Sequence, residues 1–127
     1  MSPPSPPPQR TRNQTLGAFG EAYAARHLTA RGMVVLDRNW RCSAGEIDLV
    51  LRDGRVLVVC EVKTRTSTHY GSPLEAVTAQ KAERLRRLAA TWLAEHHVHP
   101  DEVRLDLVGV LVPARGAPVV DHVQGIG

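Results

Sequence analysis

The chain has 127 residues and 13.9 kDa, enough for one domain and one core. It is 43% hydrophobic and 23% charged, which excludes a disordered or collagen-like chain, and no apolar run approaches a membrane span. The formal charge of +3 falls to +1 from Asn13 onward, so charge alone supports nucleic-acid binding weakly, and aromatics of only 4% argue against a base-stacking platform for single strands.

Residues 1–13 carry five prolines in eight positions and read as a flexible tail. Leu16–Arg31 predicts a helix, with Gly17, Gly20, Ala24 and Leu28 on one small-residue face and Gly32 as its stop. Met33–Leu36 predicts a short strand. Glu46–Arg52 and Arg55–Lys63 predict two stronger ones, joined by Asp53-Gly54 in a hairpin. The third strand is apolar on both faces and is expected at the centre of the sheet. Ser72-Pro73-Leu74-Glu75 reads as a helix start, with Thr78 as a second N-cap. An apolar stripe of Ala82, Leu85, Leu88, Ala89, Trp92 and Leu93 carries that helix to about His97. Val103–Val112 and Val119–Val123 predict the last strands. The domain proper is expected over 14–114, with 115–127 as a terminal strand or tail. There is no internal repeat, phosphate-binding glycine loop or serine nucleophile elbow. Cys42 and Cys60 form no C-x-x-C pair, which argues against a cysteine zinc site. With no secretory signal pattern, this points to a reducing, cytoplasmic setting.

The hairpin fixes an expected register. If Arg52 faces Arg55, Val59 lies opposite Asp48 and Glu61 opposite Glu46. Glu46, Asp48, Val59, Glu61 and Lys63 then share a face, with Asp48 and Glu61 diagonal neighbours roughly 7–8 Å apart at Cα. Carboxylates gathered on a covered sheet repel one another and lose hydration. A hard divalent cation, Mg²⁺ or Mn²⁺, resolves that conflict, held by Asp48, Glu61 and the Val62 carbonyl. Lys63 beside it can orient or deprotonate an attacking water, or neutralise charge on phosphorus. The chemistry implied is metal-assisted phosphodiester hydrolysis. The plainer alternative is a strand-end ion pair of Glu61 and Lys63 with Asp48 on an edge. A bulge at Gly45 is expected to turn Glu46 to solvent.

By spacing alone Glu21 is a solvated residue bordering the small face of the first helix. Lys81 continues the buried stripe and can touch phosphate or lie over the core. Arg84, Arg86 and Arg87 form a basic patch. Arg104 and Asp106 read as a structural pair, and His96, His97 and His99 as solvent-exposed.

Gly17-x-x-Gly20-Glu21-x-x-Ala24, Arg38-Asn39-Trp40-Arg41, Gly45-Glu46-Ile47-Asp48-Leu49, Glu61-Val62-Lys63-x-Arg65, Gly71-Ser72-Pro73 and Lys81 occur in that order. The set, from about Leu16 to Val112, resembles the YraN family of small bacterial proteins, within the PD-(D/E)xK nuclease superfamily and near archaeal Holliday-junction resolvases. The resemblance implies a restriction-endonuclease-like αβββαβ core, a mixed sheet of four to five strands flanked by helices. It implies an acidic pair at Asp48 and Glu61, the lysine at Lys63 and the helix glutamate at Glu21, with Asp48 lacking the superfamily's preceding proline. Arg65, Lys81 and Arg84 are the candidate nucleic-acid contacts. The expected function is a Mg²⁺-dependent, structure-selective DNA endonuclease of recombination or repair. The alternative is a nucleic-acid-binding accessory module with little activity alone. The expected partners are DNA, branched DNA included, and recombination or repair proteins. Symmetric cutting of a four-way junction needs two sites, which adds a homodimer to the candidates.

Overall fold

A computed structural model describes residues 11–67 and 78–127. Its elements are α1 (Arg12–Ala30), β1 (Val34–Cys42), β2 (Gly45–Asp53), β3 (Val56–Arg65), α2 (Ala79–His96), β4 (Glu102–Leu111) and β5 (Val119–Val123). The five strands form one sheet in chain order. β3 and β4 are parallel across α2 and the other neighbours are antiparallel. This is the expected mixed α/β sheet, compatible with a restriction-endonuclease-like core.

The two helices cover opposite faces. Ala24, Ala25 and Leu28 of α1 pack with Leu49, Leu51, Val58, Cys60, Val62, Val108 and Val110. Leu85, Leu88, Ala89 and Trp92 of α2 pack with Ile47, Val50, Leu57, Val59, Leu105 and Leu107. β3 contributes to both cores, as its unbroken apolar run requires. Among the described residues no helix is long and apolar enough to cross a membrane.

α1 starts earlier than expected. Thr11 and Gln14 form a reciprocal capping box, the Thr11 hydroxyl accepting from Gln14 N at 3.1 Å and Gln14 Oε1 from Thr11 N at 2.9 Å. Arg12 and Asn13 therefore belong to α1, with Thr11 as its N-cap, rather than to the tail. The small-residue face also narrows. A Cβ on Gly17 would meet nothing within 4 Å, whereas one on Gly20 would overlap Thr64 Oγ1 and stand 2.8 Å from Thr64 Cβ. Gly20 is the point at which α1 lies directly on β3. Gly20→Ala is expected to cost about 1–3 kcal/mol in urea unfolding, whereas Gly17→Ala should be neutral or stabilising.

β1 runs through Asp37, Arg38 and Asn39 and is longer than the expected Met33–Leu36. Met33 instead closes α1, its N–H donating to Leu28 O at 3.2 Å. Two irregularities hid this strand. The β1–β2 register shifts between Val35 and Asp37, and Asn39 sits at φ 50. α2 begins at the second expected N-cap, where the Thr78 hydroxyl accepts from Lys81 N at 3.1 Å. The Ser72-Pro73 start lies outside the described residues.

Asp106 is fully buried, and Arg104 and His122 hold it. Arg104 donates to both its oxygens, at 2.9 and 3.0 Å, and reaches Asp53 at 3.3 Å. His122 Nε2 lies 2.7 Å from Asp106 Oδ2, and Gly125 N donates to Oδ1 at 3.1 Å. The buried His122 Nδ1 has no hydrogen-bond partner among the described residues. The expected pair is thus the centre of a network that anchors β5 and the segment after it to β4. On the other face Trp92 Nε1 donates to Asp37 Oδ2 at 2.9 Å and ties α2 to β1. His96 is exposed as expected, yet it stacks on Trp92 with ring centroids 4.0 Å apart.

Candidate active site

The β2–β3 turn is Gly54-Arg55, with Asp53 facing Val56 and Leu49 facing Cys60. Gly54 takes the first loop position at φ 60, the left-handed conformation glycine accepts most easily. The expected Arg52–Arg55 pairing is therefore corrected by two residues. Because two is the period of a strand, the faces on β3 are unchanged. Carried one step past the last pair, that register would set Asp48 across from Glu61 rather than diagonal to it.

The ladder between β2 and β3 ends at Leu49 and Cys60, one step before that acidic row. β2 continues beside β1 to Gly45, and β3 continues beside β4 to Arg65. The two strands part, and Asp48 stands at the fork. Its Oδ2 accepts from Val62 N at 2.7 Å, satisfying a backbone donor near the point where the strands separate. Alternation on β2 also reverses there. Ile47 packs in the α2 layer although Leu49 and Leu51 pack in the α1 layer. Val50, of the same parity as Asp48, packs in the α2 layer with Val59, and Asp48 and Glu61 both line the cleft that opens at the fork.

The fork opens a polar cleft of about 310 Å³ lined by Glu21, Glu46, Asp48, Glu61, Val62, Lys63 and Arg84. Both layers reach it, α1 supplying Glu21 and α2 supplying Arg84. Gly20, held against Thr64, fixes the height of Glu21 beside it. Glu46 pairs with its cross-strand neighbour Arg41 at 3.2 Å and is half-exposed, in keeping with the turn to solvent expected of it. Arg65 and Lys81 are half-buried and do not line this cleft. The Gly71-Ser72-Pro73 motif lies outside the described residues.

The electrostatics single out Asp48. Its carboxyl is raised from an ordinary 3.8 to about 6, chiefly by burial, with the Val62 N–H opposing the rise and Glu21, Glu46 and Glu61 adding to it. Glu61 meets a cation instead. Arg84 Nη2 lies 3.4 Å from Glu61 Oε1, with the Glu61 side chain 20% exposed. Sequence reasoning placed Arg84 in a basic patch, as a candidate nucleic-acid contact, and missed this pair. The signal was spacing: Arg84 precedes the buried Leu85 by one position, at the border of the apolar stripe.

A sequence model of the uncharacterised protein family UPF0102 matches residues 20–110, which span the cleft and most of the sheet. The chain belongs to this family. UPF0102 is the YraN family, a member of the PD-(D/E)xK-like nuclease superfamily. A UPF0102 protein of Nocardioides sp. is 65% identical over 114 residues, covering 90% of this chain and 92% of the relative. One from Streptomyces coelicolor is 60% identical over 113 residues, covering 87% of each. One from Kineococcus radiotolerans is 61% identical over 112 residues, covering 87% of this chain and 92% of the relative. The span matched by the family model takes in all the acids of the cleft, α2 and the second half of α1.

The cleft's donors suit a hard cation: carboxylate oxygens gathered with Val62 on one lining, and an acid raised first by burial and then by the negative charge around it. Among the described residues, no three His, Cys, Asp or Glu side chains converge closely enough to enclose an ion by themselves. The fit is therefore to a cation that keeps waters and shares substrate oxygens, not to a fully caged one.

Proposed function

We propose that this chain is a divalent-cation-dependent DNA endonuclease, selective for DNA structure rather than sequence and acting in recombination or repair. The observation that carries the reading is the cleft at the strand fork, where Asp48 is raised to about 6 among Glu21, Glu46 and Glu61, with Lys63 on the same lining. Asp48, Glu61 and the Val62 carbonyl are the residues that would hold Mg²⁺ or Mn²⁺. Such an ion supplies Lewis-acid stabilisation of the phosphate and a water of lowered pKa.

The protein's own groups do the rest. Val62 N–H fixes the Asp48 carboxylate by its Oδ2 and leaves Oδ1 for other contacts. Glu21, entering from the other layer, holds an attacking water by accepting its hydrogen bond. The Lys63 ammonium either orients that water, takes its proton after losing one, or balances charge gathering on phosphorus. A domain this small touches few base edges, so phosphate contacts dominate and geometry selects the substrate.

A second reading, an accessory nucleic-acid-binding module, draws on one feature: Arg84 already neutralises Glu61. Cleavage assays on linear, flapped and four-way DNA and on RNA separate the two, each with Mg²⁺, Mn²⁺ or EDTA. The nuclease reading expects metal-dependent cutting that favours branched DNA. Salt-sensitive binding without cutting on any substrate assigns the accessory role.

A further inference from the structure

We propose that Arg84 works in two positions: counter-ion of Glu61 while no divalent cation is bound, and ligand of a substrate phosphate once a cation takes Glu61. The proposal rests on the nuclease reading and names a substrate contact and a gate within the same cleft.

Three observations carry it. The first is the looseness of the pair. The contact is a single one at 3.4 Å, longer than the ~2.7–2.9 Å of a tight charge-assisted bond. Arg84 is 55% exposed, so the pair contributes little and is readily exchanged. A guanidinium stays charged at any working pH, so it competes with a divalent ion for Glu61 by position alone.

The second is that Arg84 borders two cavities. It lines the acidic cleft and also an adjoining groove formed by Arg41, Cys42, Ser43, Ala44, Gly45 and Glu46 at the β1–β2 turn. Glu46 is likewise common to both. On leaving Glu61 the guanidinium therefore has open space beside the cleft, along a groove whose other cation is Arg41. Its planar fork matches two oxygens of a phosphodiester.

The third is the contrast with its neighbours on α2. Arg87 bonds Glu83 at 3.3 Å, and Arg86 lies 4.0 Å from the same carboxylate. Those two share one carboxylate on their own helix. Arg84 crosses to β3.

Arg84→Ala, Arg84→Lys and Arg87→Ala separate this proposal from a general charge effect. Mn²⁺ affinity is read from free-Mn²⁺ electron paramagnetic resonance without nucleic acid. DNA affinity is read from the anisotropy of a labelled duplex with Ca²⁺ as the cation. Arg84→Ala should bind Mn²⁺ about three- to fivefold more tightly, having lost a weak competitor, and DNA about tenfold more weakly. Arg84→Lys should fall between for Mn²⁺ and remain weak for DNA, lacking the fork. Arg87→Ala should leave Mn²⁺ affinity unchanged. Unchanged or weaker Mn²⁺ binding in Arg84→Ala overturns the gate. Equal tightening in Arg87→Ala overturns it too, as does undiminished DNA affinity in Arg84→Ala. If the unaltered protein binds no Mn²⁺ at millimolar concentration, the metal reading itself fails, an outcome distinct from the others.

Discussion

Lys63→Ala should lower phosphodiester cleavage by about 10²- to 10⁴-fold, the usual range for losing a proton-transfer or charge-stabilising group. Its melting temperature and DNA affinity should stay close to those of the unaltered protein. Lys63 is half-buried at the cleft wall and its β4 neighbour is Gly109, so truncation removes an amine without emptying a core. Lys63→Arg divides the roles left open for the amine. Arginine keeps the positive charge and gives up no proton, so a charge-balancing role predicts partial rescue and a proton-accepting role predicts none. Initial rates on a branched DNA with Mg²⁺, beside thermal melts and anisotropy, decide it. Full activity in Lys63→Ala would remove the mechanism, and loss of folding would return Lys63 to a structural part.

The sheet was legible because its strands are simple where they are central. Val56–Val62 alternates between two apolar faces and needs a layer on each side, which is what α1 and α2 supply. Periodicity also gave the α2 stripe, from Ala82 to Trp92, for the same reason. β1 was legible only in part. It is an edge strand, its pattern alternates between exposed and half-buried, and Asn39 at φ 50 interrupts it. A strand that is half solvent-facing carries a weak hydrophobic signal, and a positive φ destroys what alternation remains.

The acids of the site were legible as a group, but not their geometry. Hairpin register gave Asp48 and Glu61 a common neighbourhood, and a two-residue error left that intact because it equals the strand period. The fork was invisible. Nothing in Gly45–Asp53 announces that the backbone ladder stops at Leu49, or that the Asp48 side chain takes over the Val62 N–H. Arg84 failed to stand out for a different reason. Its neighbours Arg86 and Arg87 disguise it as one charge among three, and only the packing of α2 across β3 shows that it alone reaches an acid on the sheet.

Asp48→Asn should abolish cleavage and, without divalent cations, make the protein more stable at neutral pH. The rise of the Asp48 carboxyl from 3.8 to about 6 means that holding it ionised in the fold costs roughly 3 kcal/mol. Asparagine keeps an oxygen for Val62 N–H and removes the charge facing Glu21, Glu46 and Glu61. For a domain of this size the gain is on the order of 10 °C in melting temperature. The sign follows from linkage. Between pH 3.8 and about 6 the folded state holds the Asp48 proton that the unfolded state has released, so this group's contribution to stability falls as pH rises. The gap between variant and parent should therefore be absent below pH 3.8, open through that interval and be full above about 6. Added Mg²⁺ should raise the melting temperature of the parent and leave Asp48→Asn where it was, narrowing the gap. Thermal melts from pH 3.5 to 8, with EDTA or Mg²⁺, read all of this. A less stable Asp48→Asn at every pH would mean that the carboxylate serves as a strand anchor through Val62, its ionised form an asset of the fold rather than a strain that a cation relieves.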